Sequence, residues 1–138
     1  MALIPVFQSE IVEASYDEHY GWLYLDWKGV QHLTAVQQAC RQLTDYLEAT
    51  GCAKVLNDNT NVTQTSWELV AWVADSYLPL TTLLGLEYVA WVVSPQLDCR
   101  SNIDTLARAI RQKPQVAMFD TLAEACTWLS SVQVHAKL

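Results

Sequence analysis

The sequence is poor in the residues that build phosphate-binding and nucleophile-bearing loops. Its 138 residues include only four glycines and four prolines. No G-x-G-x-x-G, Walker loop or G-x-S-x-G pattern is present, so the glycine-rich phosphate cradle and the nucleophile elbow are both missing. Cations are scarce too: eight Lys+Arg against fifteen Asp+Glu leave a formal charge of -7. A surface of that sign repels phosphate backbones and anionic headgroups, which argues against nucleic acid and membrane surfaces as partners. Charged residues make up only 17% while hydrophobic residues make up 51%, a balance that excludes intrinsic disorder. No apolar run reaches the roughly 18 residues of a membrane span. The nearest, 69–86, is broken by Asp75 and Pro79. Met1 to Phe7 has no basic n-region and predicts no signal peptide. The expectation is a cytoplasmic protein.

Cys40, Cys52, Cys99 and Cys126 form no C-x-x-C pair, and no histidine lies at ligand spacing from any of them. No metal or other cofactor is expected, and the thiols read as small reduced hydrophobes. Asn61-Val62-Thr63 matches a glycosylation sequon, which has no meaning without a secretory signal. His19, His32 and His135 have no nucleophile or carboxylate at a motif spacing. Asp58 is the one carboxylate at a predicted strand end, where α/β sites usually lie. Between Asn57 and Asn59 it reads as a turn former. The chain is therefore read as non-enzymatic.

What is there is an alternation of strands and helices over one domain, 1–138, with a core from about 10 to 130. Residues 10–16 read as a strand, 17–21 as a turn, and Trp22 to Trp27 as a second strand with Leu23, Leu25 and Trp27 on one face. Thr34 and Gln37 form a capping box, and Leu33, Val36, Cys40, Leu43 and Leu47 step by three and four along one helix face. Gly51 stops that helix. Ala53 to Leu56 is a short buried strand, and 57–65 is turn chemistry. A second helix opens with the Thr65–Glu68 box and carries Trp67, Val70, Ala71, Ala74, Tyr77 and Leu78 inward, with Trp72 and Val73 outside that face. Pro79 should kink it. Leu86 to Val93 reads as a central strand covered on both faces. Ser101–Asp104 opens a third helix to about Gln112, Val116 to Phe119 is a last strand, and Thr121–Glu124 caps a final helix. The order β-β-α-β-α-β-α-β-α predicts an α/β fold with a mostly parallel central sheet flanked by helices.

Three stretches in this order resemble the STAS domain, the module of sulfate transporters and anti-sigma-factor antagonists, in its small stand-alone bacterial form. They are Leu23 to Gly29 (LYLDWKG), Val55-Leu56-Asn57-Asp58, and Tyr77-Leu78-Pro79 followed by Gly85 to Val93. The closing Phe119-Asp120, Glu124-Ala125 and Trp128-Leu129 also fit. The resemblance implies a protein–protein regulatory module that meets its partner through the Asp58–Thr63 loop and the start of the second helix. In the antagonists a Ser or Thr there is phosphorylated, within a segment reading Asp-Ser-Ser/Thr-Gly. Here that stretch is Asp58-Asn59-Thr60-Asn61, without the glycine or the Ser pair. Thr60 is the positional match, and Thr63, Thr65 and Ser66 are the alternatives.

Six tryptophans against two phenylalanines raise a second reading, a carrier of a small apolar molecule. SEC14-type lipid-binding domains resemble STAS in topology, and Trp67, Trp72, Tyr77, Leu83 and Trp91 surround the segment where such a pocket would lie. The plainer account is that these rings fill a core short of Phe. Trp72, off the main apolar face, is the anchor expected of a homodimer interface.

Overall fold

A computed structural model describes residues 3–96 and 114–135. The chain is a mixed α/β fold: one six-stranded sheet flanked by helices, with strands in the order β1-β2-β3-β4-β5-β6. Strands β1 (Leu3–Gln8), β2 (Val12–Asp17) and β3 (Trp22–Val30) form an antiparallel meander. From β3 onward the pairing is parallel, through β4 (Lys54–Gln64), β5 (Tyr88–Val92) and β6 (Gln115–Phe119). Helix α1 (Leu33–Thr50) joins β3 to β4. A composite segment joins β4 to β5: α2 (Trp67–Trp72), a π-helical turn (Val73–Tyr77) and α3 (Leu78–Leu83). Helix α4 (Leu122–Ser131) follows β6. The helix expected over 101–112 lies outside the described residues.

The sheet separates two apolar clusters. On one face Leu23, Leu25, Trp27, Val55 and Val89 meet Val36, Leu43 and Leu47 of α1 and Leu69 and Val70 of α2. On the other, Trp22, Leu56, Ala90 and Val92 meet Ala125 and Leu129 of α4. The period-2 alternation expected for Leu23, Leu25 and Trp27 is the cause: neighbouring residues of one strand supply opposite cores. Polar anchors hold the helices in place. Lys54 Nζ donates to the Leu129 carbonyl at 2.6 Å, satisfying an acceptor near the end of α4. Tyr88 Oη donates to the Gln133 carbonyl at 2.9 Å.

Several expectations change. Leu3–Gln8 is an additional strand, mostly exposed, at the sheet edge. Residues 57–64, expected as a loop, continue β4. Asn57, Asp58 and Asn59 are buried there, and the backbone bonds of the β3 and β5 ladders outweigh their turn preference. The helix starts also move. His32, not Thr34, precedes α1 and makes no side-chain cap. Ser66, not Thr65, caps α2, accepting from the Leu69 N–H at 3.2 Å. Thr121 behaves as expected, accepting from Glu124 N at 3.2 Å and donating to Glu124 Oε1 at 2.9 Å.

The second segment keeps Val70, Ala74, Tyr77 and Leu78 inward as expected and departs from its predicted face at the tryptophans. Trp67 is 58% exposed, whereas Trp72 packs partly buried against the first core cluster and stacks on Tyr77. The π-helical turn puts one extra residue into the helical repeat, so a 3.6-residue template no longer describes both halves. Pro79 stands at the start of α3, at the changeover to regular helix.

Leu129 is fully buried where α4 meets the sheet. Leu129→Ala should lower unfolding free energy by about 2–5 kcal/mol, measured by urea denaturation. A loss below about 1 kcal/mol would mean that α4 is not packed there.

Candidate functional site

The polar run of β4 presents a different chemistry to each face of the sheet. Side chains alternate along a strand, so Asn57 and Asn59 point toward α1 and α2, and Asp58 points the other way. This alternation creates two sites back to back.

On the α4 side, Asp58 is buried beside Tyr24 of β3. Tyr24 Oη donates to Asp58 Oδ2 at 2.7 Å. The other carboxylate oxygen accepts from the Thr60 N–H at 3.0 Å and from the Thr60 hydroxyl. Asp58 pairs in register with Asp26 of β3, and Asn61 Nδ2 donates to Asp26 Oδ1 at 3.3 Å. Burial holds the Asp26 carboxyl above the ordinary carboxylate range. The neighbouring charges of Asp58 and Glu13 push the same way, against the Asn61 bond and Lys28. Burial, then the bond to Asp58, pushes the Tyr24 phenol far above its usual range, so Tyr24 remains a donor. Tyr24 and Asp26 did not stand out in the sequence as site residues, although the alternation of β3 puts them on the face opposite Leu23 and Leu25.

Beyond Asp58, β4 outruns β5: its last register partner there is Val92, while pairing with β3 continues to Gln64. Thr60, Asn61, Thr63 and Gln64 are exposed along this extension, and Val62 is buried. The expected interaction residues therefore split. Thr60, Asn61 and Thr63 form an exposed strand strip leading to Ser66 and Trp67, with Thr65 half-buried. Asp58 and Asn59 lie beneath it, buried. Thr60 is not at a helix start; that position belongs to Ser66. A phosphate on Thr60 would meet the Asp58 carboxylate that its hydroxyl now bonds, and Lys28 is already paired with Glu13 at 3.1 Å.

On the α1 side a cavity of about 100 Å³ lies between sheet and helices. Leu25, Trp27, Asn57, Asn59, Val89 and Trp91 contribute from the strands, Cys40 and Leu43 from α1, and Val73 and Tyr77 from the π-helical turn. Of the aromatics expected around a pocket, Trp91 and Tyr77 line this one. Trp72 stacks on Tyr77 with centroids 5.5 Å apart. Trp67 and Leu83 face solvent. Two lining groups escaped notice in the sequence, Asn57 and Gln31. Trp27 Nε1 donates to Asn57 Oδ1 at 2.6 Å, and Gln31 Nε2 donates to the Lys28 carbonyl at 2.9 Å. Burial pushes the Cys40 thiol up to about 12. Among the described residues no group of His, Cys, Asp and Glu is arranged to hold a metal ion, and no helix is long and apolar enough to cross a membrane.

No protein-family model matches this chain, and no curated protein matches it either. Solved structures similar in chain course include two of SiaC. Apo-SiaC from Pseudomonas aeruginosa is 15% identical, with a TM-score of 0.47 over 86% of this chain and 98% of that one. A second structure of SiaC of Pseudomonas aeruginosa is 13% identical, with a TM-score of 0.43 over 86% and 96%. Likeness at this level assigns no activity to this chain.

Asp26 supplies a pH test. Its carboxyl is raised in the folded state, so the folded protein holds that proton more tightly than the unfolded chain. Asp26 therefore costs stability at neutral pH, and the cost disappears below the ordinary carboxyl range, near pH 3.9. Asp26→Asn should melt higher than wild type at pH 7, with the gap closing by about pH 3. A variant that melts lower at pH 7 would show that the charged Asp26 is favoured in the fold.

Proposed function

We propose that this chain is a non-catalytic, STAS-like regulatory module of the cytoplasm. Its protein partner meets the strip formed by Thr60, Asn61, Thr63, Ser66 and Trp67. The observation that supports this reading is the exposure of Trp67, 58%, directly after the exposed polar extension of β4. A large ring in solvent is costly, and tryptophan is the residue type most enriched at the centre of protein interfaces. The strip is backed by fixed groups. The Asp58–Thr60 bonds and the Asn61–Asp26 bond hold its strand in shape, so a partner meets a surface that needs little ordering. The chemistry beneath the strip favours scaffolding over turnover: Tyr24 stays protonated, and Asp58 accepts three hydrogen bonds from its neighbours.

Trp67→Ala removes the ring without touching the core. Its unfolding free energy should stay within about 0.5 kcal/mol of wild type. Partner capture from the native host, compared side by side with wild type, should fall by about tenfold or more. Asn61→Arg should act in the same direction. Undiminished capture by both folded variants would place the interface elsewhere.

A further inference from the structure

The cavity beneath α2 carries an unusual polar lining. Three residues that line it each carry a buried polar atom without a hydrogen-bond partner: Gln31 Oε1, Asn59 Nδ2 and Trp91 Nε1. Their residues are 6%, 7% and 8% exposed. Buried polar groups nearly always find partners, and each exception calls for an explanation. Here all three exceptions belong to residues that line one space. They come from three separate elements: the residue after β3, the centre of β4 and the end half of β5. The set consists of two donors and one acceptor.

We propose that this cavity is a binding site for a small, neutral, mostly apolar molecule bearing one hydroxyl or carboxamide group. Size comes first. A cavity of about 100 Å³ exceeds the roughly 10–15 Å³ that one water needs and approaches the ~150 Å³ of an engineered cavity that takes up benzene. Charge is second. Among the described residues that line it there is no Asp, Glu, Lys, Arg or His, and an ion buried without a partner is expensive, so the proposed occupant is uncharged. Hydrogen bonding is third. A hydroxyl accepts two bonds and donates one, and a carboxamide also does both, which matches two orphan donors and one orphan acceptor. The rest of the wall, Leu25, Leu43, Val70 and Val89 among it, suits a hydrocarbon body.

The π-helical turn forms part of the wall. Val73 and Tyr77, the two ends of the π-helical turn, both line the cavity. Single π turns inside helices recur at functional sites because their hydrogen bonding is less regular than that of the α-helix. This site opens on the opposite side of the sheet from Tyr24 and Asp58. Its occupancy stands or falls independently of the partner surface.

The test is a titration followed by proton–nitrogen correlation NMR. Six indole N–H signals are available, and the one lost in Trp91→Phe belongs to Trp91. Benzyl alcohol and benzamide are the probes, and toluene and benzoate the controls. The expected result is a saturable shift of the Trp91 indole signal with at least one of the two probes. That probe should bind about tenfold more tightly than toluene, the worth of one satisfied buried hydrogen-bonding group, and benzoate should give no shift. Trp91→Phe should weaken the probe by about the same factor and leave toluene unchanged. The proposal is overturned if neither probe gives a saturable shift in wild type, or if toluene binds as tightly. It is equally overturned if the Trp91 indole proton shows transfer from a bound water that no probe displaces, which would mean a hydrated cavity only. The wild-type titration decides the matter even if Trp91→Phe fails to fold.

Discussion

Strand β4 crosses the middle of the sheet with three consecutive polar side chains buried on it, and most of the structure is arranged around that demand. Asn57, Asp58 and Asn59 each need hydrogen bonds that water cannot supply. Strand alternation sends them to opposite faces. Trp27 meets Asn57 on one side, and Tyr24 and Thr60 meet Asp58 on the other. The partners Tyr24 and Trp27 come from β3, so the parallel register of β3 on β4 is tied to these side-chain bonds as well as to the backbone ladder. A shift by one residue would turn Asp58 toward Leu25 and Leu43 and strand Tyr24. Buried polar pairs of this kind contribute modestly to stability but strongly to choosing one register.

The same strand explains why an exposed polar strip and an internal cavity coexist in a small protein. Past Asp58 the strand leaves the cover of β5, and its side chains emerge as the exposed strip ending at Trp67. Asn59, just past that point, still turns inward, and its amide nitrogen has no hydrogen-bond partner. The two features are therefore consecutive residues of one strand seen from opposite faces.

Much of the framework was legible in the residues. The 3,4 spacing of α1, its Gly51 stop in the left-handed region, the apolar β5 run and the Thr121–Glu124 box all appear where expected. What was not legible has physical causes. Leu3–Gln8 is apolar almost throughout but carries Pro5 and no apolar–polar alternation, so nothing in it marks an edge strand. Asn-Asp-Asn reads locally as a turn, and it is the long-range ladders with β3 and β5, together with the bonds to Trp27 and Tyr24, that make it a strand. Trp67 opens α2 with its ring exposed while Trp72 packs partly buried against Tyr77, a choice the apolar spacing alone does not reveal. For the site, Trp91 and Tyr77 were foreseen as lining residues. Gln31 and Asn57 were not, since their significance lies in which atoms are left with or without a partner.

The central claim is that 56–59 form a buried strand rather than a surface loop, and amide hydrogen exchange tests it most directly. The account predicts that the N–H groups of Leu56, Asn57, Asp58 and Asn59 exchange as slowly as those of Val89 and Ala90 in β5, through opening close to global unfolding. Exchange of these four amides within the time of a loop, while β5 stays protected, would contradict it. The paired carboxylate, the exposed strip and the cavity wall would then all need to be rebuilt.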